Sequence, residues 1–309
     1  MMNTNVTPII QSLQDELLAT AQVEISVLRL DEMYPQSSGN KWYKLKYNLR
    51  QAQAEGKDTL LTLGGAYSNH IHATAAAGIQ FGFKTIGVIR GECPNEMNPT
   101  LQFAEAQGMQ LHFVSRDTYR SKESESFTDY LQQKFGSFYL LPEGGTNRWA
   151  VKGCTEILPE NLSFDKVACC VGTGGTLAGL LVRLAGQKEV LGFPALKGGE
   201  FLYDTINQLT SDYRDRSYTN YQLITDYHFG GYAKANAELV SFINKFQQKH
   251  QILLDPVYTG KLFYGIFHLI KQGFFPKHTR LLVIHTGGLQ GIAGFNERHR
   301  NKNLCILES

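Results

Sequence analysis

Two segments of this chain carry residues whose types and spacing could do chemistry. In the first, Gly172-Thr173-Gly174-Gly175-Thr176 stands between the apolar run Val167 to Val171 and the helix-forming stretch Leu177-Ala178-Gly179-Leu180-Leu181. Glycines let backbone N–H groups come close to an anion, and a helix N-terminus adds the positive end of its dipole. Thr173 and Thr176 add hydroxyl donors, so the turn reads as a phosphate cradle that needs no lysine or arginine. It has neither the Gly-Lys-Ser/Thr close of a nucleotide P-loop nor the G-x-G-x-x-G spacing of a dinucleotide fold. A tight strand-to-helix turn calls for glycine on steric grounds as well, and this segment alone does not separate the two readings. In the second segment, Ser37-Ser38-Gly39-Asn40-Lys41-Trp42-Tyr43-Lys44-Leu45-Lys46-Tyr47 leads from turn residues into a helix with Lys41 near its start. A lysine in that position is ordinarily a solvated surface charge. It becomes an amine nucleophile only where the rest of the chain asks for one.

The elements that must position these residues alternate. Thr59 to Leu63, Thr85 to Ile89, Leu111 to Val114, Phe138 to Leu141, Val167 to Val171, Val190 to Phe193, Tyr221 to Ile224 and Leu281 to Ile284 read as strands, with helical patterns between most of them. That order predicts an α/β fold of parallel βαβ units with helices on both sheet faces. Ligands in such folds gather at the carboxyl ends of strands. Three runs end in glycines there: Gly64-Gly65, the Gly172 turn and Gly287-Gly288. Leu196 to Tyr221 carries no motif, and Arg116 to Glu125, mixed in sign, reads as a solvated loop and helix start.

Six motifs in order carry a resemblance. They are Ser38-Gly39-Asn40-Lys41, Leu63-Gly64-Gly65-Ala66-Tyr67-Ser68-Asn69-His70, Pro142-Glu143-Gly144-Gly145, the Gly172 to Thr176 turn, Asp255-Pro256-Val257-Tyr258-Thr259-Gly260-Lys261 and His285-Thr286-Gly287-Gly288. Running from Arg29 to Gly288, the chain resembles the 1-aminocyclopropane-1-carboxylate deaminase and D-cysteine desulfhydrase family of tryptophan-synthase-β-like (fold type II) pyridoxal-phosphate enzymes. The resemblance implies two open parallel-sheet α/β domains, a larger cofactor domain from residues 1–45 and 152–309 and a smaller one from 46–151. It implies pyridoxal 5′-phosphate as cofactor, held by Lys41 as a Schiff base, by Asn69 at the ring hydroxyl oxygen, and by Gly172, Thr173, Gly174, Gly175 and Thr176 at the phosphate. Ser68, Asn69 and His70 would face the substrate and receive its carboxylate on their backbone N–H groups. Tyr258 would move a proton beside it, and Tyr232 would line the same site. Ser68 and Asn69 also suit plain N-capping of the next helix, which is compatible with that role.

Within the family, one position divides the branches. The cyclopropane deaminases have a glutamate after the active-site tyrosine, at the pyridine nitrogen, and an apolar residue before the late glycine pair; this chain has Thr259 and Thr286. A threonine hydroxyl can hydrogen-bond a neutral ring nitrogen without supplying charge. The pattern resembles the D-cysteine desulfhydrase branch. It implies β-elimination: amine exchange onto the cofactor, removal of the Cα proton by freed Lys41, loss of sulfide, and hydrolysis to pyruvate and ammonia. D-cysteine leads as substrate, with β-chloro-D-alanine and D-serine related. Ring opening of 1-aminocyclopropane-1-carboxylate to 2-oxobutyrate is the alternative, and a ligand-binding homologue with an unreactive lysine is a third reading.

Composition narrows the partners. With 30 Lys and Arg against 28 Asp and Glu, net charge +2, and no basic cluster, nucleic acid is not expected. The start of the chain lacks a basic segment followed by an apolar run, and no stretch is long and apolar enough to span a bilayer, so neither export nor a membrane is expected. Five cysteines, an odd set without CxxC spacing, point to a reducing cytoplasm, and Cys169 and Cys170 should pack on opposite faces of a strand. His70 and His72 lie too close for a helical metal pair, so no metal is expected. The family resemblance implies a homodimer acting on a small amino acid.

Overall fold

The computed structural model describes residues 7–33, 39–160, 162–302 and 304–307; Ser37 and Ser38 of the lysine motif lie outside them. The chain runs β1 (Ile9–Ser12), α1 (Glu16–Ala21), β2 (Glu24–Arg29), α2 (Asn40–Ala54), β3 (Thr59–Gly65), α3 (Asn69–Phe81), β4 (Lys84–Arg90), α4 (Pro99–Ala106), β5 (Gln110–Val114), α5 (Arg116–Arg120), α6 (Glu125–Phe135) and β6 (Tyr139–Leu141). It continues through α7 (Arg148–Cys154), β7 (Lys166–Val171), α8 (Gly175–Leu184), β8 (Glu189–Pro194), α9 (Leu202–Arg214), β9 (Tyr221–Leu223), α10 (Ala237–His250), α11 (Thr259–Lys271), β10 (Arg280–His285) and α12 (Gly291–His299).

Among the described residues, β1-β2-β10-β7-β8-β9 form one sheet in that order and β5-β4-β3-β6 a second. Every neighbouring pair is parallel except β1 with β2. All eight strand runs read from the sequence are present. β1 and β2 were not among them, and β1 makes the larger sheet mixed at one edge, a common variation on parallel sheets. Both faces of that sheet are covered, because alternate side chains feed opposite cores: Val167, Cys169 and Val171 one side, Ala168 and Cys170 the other. The smaller sheet divides in the same way, with Leu61, Leu63 and Val88 on one face and Ile89 packed with Ile71 and Leu101 on the other.

α2 forms where the lysine motif predicts it. Leu45, Leu49 and Ala52, spaced four and three apart, are fully buried, with Trp42 and Tyr43 beside them. The segment Leu196 to Tyr221, without a motif in the sequence, holds a 3-10 turn at Gly199–Phe201 followed by α9, which buries Leu202, Ile206 and Thr210 along one face.

Candidate active site

Residues that follow β3, β6, β7, β9 and β10, together with the starts of α2 and α11, line one cleft. The structure brings together there Lys41, Ser68, Asn69, His70, Gly172, Thr173, Gly174, Thr176, Tyr232, Tyr258 and Thr286. Gly175 lies just beneath as the first residue of α8.

At one end of the cleft, α8 starts without a side-chain cap on its first turn, which leaves backbone donors for an anion. The sequence reading assigned the turn no lysine, and the structure places one beside it. Lys44 sits in the same wall, its Nζ donating to Thr173 Oγ1 at 3.1 Å, Thr146 Oγ1 at 2.9 Å and the Gly144 carbonyl at 3.1 Å. Burial, with Lys41 nearby, brings its pKa down to about 7. Lys41 and Lys44 are three residues apart on a helix, so both ammonium groups fall on one face. That spacing was a usable signal.

Lys41 enters the cleft from the first turn of α2. Its Nζ lies 3.4 Å from Asn40 Oδ1, while Asn40 Nδ2 donates to Thr176 Oγ1 at 2.9 Å and ties the lysine's turn to the glycine turn. Burial lowers the Lys41 pKa, which favours the neutral amine a nucleophile requires. The turn before it depends on Gly39, at φ 73 and ψ −152, a region that only glycine enters easily. A Cβ at Gly39 would also run into the Thr286 carbonyl oxygen, which accepts the Asn40 N–H at 3.1 Å. Gly39→Ala should therefore cost about 2–3 kcal/mol of stability from backbone strain and the contact and should loosen both Lys41 and Thr286. Thermal unfolding and cofactor retention check this, and unchanged values would refute it.

At the strand β10 end, Thr286 Oγ1 lies 3.0 Å from Cys170 Sγ, and both line the cleft. Burial pushes the Cys170 thiol up to about 12, so it stays protonated. Thr259 is elsewhere: its hydroxyl donates to Asp255 Oδ1 at 2.7 Å and accepts from the Asp255 N–H at 2.8 Å, and it is fully buried outside the cleft. Asp255 also accepts from the N–H groups of Val257, Tyr258 and Thr259, closing the entry to α11. Those bonds hold the Thr259 hydroxyl in the helix cap, and of the two branch-marking threonines it is Thr286 that lines the cleft.

On the opposite wall, Ser68 caps α3, its Oγ accepting from the N–H groups of His70 and Ile71 at 3.2 and 3.3 Å, and its own N–H donates to the Gly65 carbonyl at 3.0 Å. Of the three N–H groups assigned to a substrate carboxylate, those of Ser68 and His70 are thus already engaged. The His70 ring is buried against Gly145, where a Cβ would come within 2.6 Å of Cε1. Burial, with Lys41 beside it, holds the imidazole pKa well below its usual value. The Tyr258 hydroxyl donates to Tyr232 at 3.2 Å, and burial raises both phenol pKa values, so each keeps its proton.

Sequence reasoning missed Lys261. Its buried Nζ donates to the carbonyls of Ala195, His228 and Gly231 at 3.1, 2.9 and 2.8 Å, pinning the turn that carries Tyr232. His228 closes that same turn, its ring Nδ1 accepting the Gly230 N–H at 2.9 Å.

The family model for pyridoxal-phosphate dependent enzymes matches residues 2–287. The chain belongs to that family. Its cofactor is pyridoxal 5′-phosphate. Among similar proteins are the mitochondrial bifunctional D-cysteine desulfhydrase/1-aminocyclopropane-1-carboxylate deaminase of Arabidopsis thaliana, 30% identical over 87% of this chain and 73% of that one, and the 1-aminocyclopropane-1-carboxylate deaminase of Methylobacterium nodulans, 29% identical over 85% and 86%. A crystal structure of an ACC deaminase homologue superposes with a TM-score of 0.85 at 27% identity, covering 96% of this chain and 94% of the other. A hydrogen sulfide-producing enzyme of Fusobacterium nucleatum, TM-score 0.67 at 16% identity over 93% and 97%, shares the fold. The residues present fit the cofactor. The uncapped start of α8 and Lys44 suit its phosphate, Lys41 its aldehyde, and the His70 ring nitrogens, buried in the wall without a partner among the described residues, are polar atoms that a bound group could satisfy.

Proposed function

We propose that this protein catalyses β-elimination from a small amino acid, D-cysteine first among them, to give pyruvate, ammonia and hydrogen sulfide. The observation that carries the reading is the buried Lys41 amine in a cleft with a glycine turn and Lys44 at one end and the neutral Thr286 hydroxyl in its lining. Pyridoxal phosphate, when bound, supplies the electron sink that makes a substrate Cα–H acidic. The chain's own residues hold and time the rest. The glycine turn and Lys44 bind the phosphate, Asn69 holds the ring hydroxyl oxygen, and Ser68, Asn69 and His70 orient the substrate. Lys41, with its lowered pKa, takes the Cα proton. Tyr258, kept protonated, serves as a donor, backed by Tyr232. Thr286 offers the ring nitrogen a neutral partner, and the weaker electron withdrawal that follows favours prompt expulsion of a β-substituent.

Ring opening of 1-aminocyclopropane-1-carboxylate is the second reading, favoured by what the relatives from Methylobacterium nodulans and Arabidopsis thaliana are named for. A panel of D- and L-amino acids decides between them. Pyruvate and sulfide should form from D-cysteine faster than 2-oxobutyrate forms from the cyclopropane. The reverse order establishes ring opening, and no pyruvate from D-cysteine, β-chloro-D-alanine or D-serine rejects elimination. We further propose, on the family resemblance, a homodimer, and a cytoplasmic location, which the free cysteines support. Light scattering of the purified protein tests the dimer.

A further inference from the structure

Gln290, the residue before α12, lies in the cleft wall and spans the starts of three helices. Its Nε2 donates to Asn69 Oδ1 at the first residue of α3, and its Oε1 accepts from Thr100 Oγ1 at 3.0 Å in the first turn of α4. Thr100 is 1% exposed and stands behind the cleft wall rather than in it. A side-chain amide has one accepting and one donating end, so each bond fixes the next. The Thr100 hydroxyl gives its proton to the Gln290 carbonyl, and the Gln290 amino group is left for Asn69. The Asn69 carbonyl is thereby occupied, and what Asn69 retains for a ligand is its NH2 group.

We propose that Gln290, with Thr100 behind it, is a positioning residue that holds the Asn69 amide with its NH2 group toward the ring hydroxyl oxygen of the cofactor. The inference rests on the reading that Asn69 faces that oxygen. Were the Asn69 amide turned over, its carbonyl could only accept, and an ionised ring oxygen has no proton to give it, so the contact would repel. The relay also joins the two halves of the cleft, since Asn69 and Thr100 follow strands of the smaller sheet and Gln290 follows β10 of the larger.

The test uses the full-length protein and four variants: Asn69→Ala, Gln290→Met, which keeps length and loses both hydrogen-bonding ends, Gln290→Glu, which has two accepting ends, and Thr100→Val. Two quantities are read: the dissociation constant of pyridoxal phosphate, titrated onto apoprotein by absorbance, and the pH midpoint of the bound cofactor's visible band. Asn69→Ala should weaken binding about tenfold and move the midpoint. Gln290→Met and Gln290→Glu should weaken it about three- to tenfold and move the midpoint in the same direction. Thr100→Val, remote from the ligand, should follow by about two- to threefold and add nothing to Gln290→Met, because coupled residues are not additive. A purely structural role would lower the melting temperature and leave the midpoint in place. The inference is overturned if both Gln290 variants bind cofactor within about twofold of the parent at an unmoved midpoint while Asn69→Ala shifts both readouts. If Asn69→Ala shifts neither, the placement of Asn69 is wrong and the inference goes with it.

Discussion

Lys41→Ala should lower kcat by about 10³-fold or more and leave the apoprotein at least as stable as the parent. The first half follows from the two tasks given to one amine, attack on the cofactor aldehyde and transfer of the Cα proton, since loss of a positioned proton carrier alone costs about 10²- to 10⁴-fold. The second half follows from the direction of its pKa shift. Burial lowers the Lys41 pKa in the fold. The unfolded chain therefore binds the proton more readily, and the charged group opposes folding at every pH below its ordinary value. Removing it relieves that opposition. Lys41→Arg should also be inactive, because a guanidinium stays charged at any accessible pH and is no nucleophile. The variants should still take up pyridoxal phosphate through the glycine turn and Lys44, but borohydride should no longer fix it to the chain. Peptide mapping of the reduced parent protein should find the pyridoxyl group on residue 41. A Lys41→Ala protein that turns over at more than a few per cent of the parent rate, or a modified peptide elsewhere, removes the basis for the proposed reaction.

Much of this arrangement is legible in the chain because buried parallel strands leave continuous apolar runs. Leu60 to Leu63 in β3 and Val167 to Val171 in β7 are buried at each position, and both were read as strands. β2 escaped because Glu24 and Arg29 bracket it and Ser26 interrupts it, and β1 escaped because its Ile9 and Ile10 are exposed at an edge. The glycine-ended loops marked the cleft for the same physical reason that they can bind a ligand. What the sequence hid are contacts between distant positions. Gln290 meets Thr100 and Asn69 across 190 and 221 residues, and the three carbonyls held by Lys261 come from two separate loops. The place of Thr259 was hidden too: it follows Tyr258 directly, yet Asp255 gathers three backbone N–H groups and the Thr259 hydroxyl, and so holds that side chain in the helix cap. Cys170 was read as packing, and it does pack, but it also sets the surroundings of Thr286.

Lys44→Met should weaken pyridoxal phosphate binding about 10- to 100-fold at neutral pH, the value of a charge-assisted hydrogen bond to phosphate in a dry setting. The pH dependence distinguishes this from simple loss of packing. With no anion present the Lys44 pKa is about 7, so above neutrality the apoprotein holds it mostly as the free amine. A phosphate dianion bound beside Thr173 favours the charged form and raises that pKa. Binding between about pH 7 and the raised value must then take up close to one proton, and affinity must fall by up to about tenfold per pH unit across that window. Calorimetry in buffers of different ionisation enthalpy reads the uptake directly. In Lys44→Met both the uptake and this component of the slope should vanish, whereas Lys44→Arg, charged throughout, should lose the uptake and retain part of the affinity. The apoprotein shows the opposite dependence. Its unfolded chain carries the extra proton between about pH 7 and the ordinary lysine value of 10.5, so apoprotein stability attributable to this residue should rise with pH over that range, and Lys44→Met should flatten the rise. Binding that is pH-independent in the parent and unchanged in Lys44→Met would place the phosphate away from this lysine, and the glycine turn would then have to hold it by backbone donors alone.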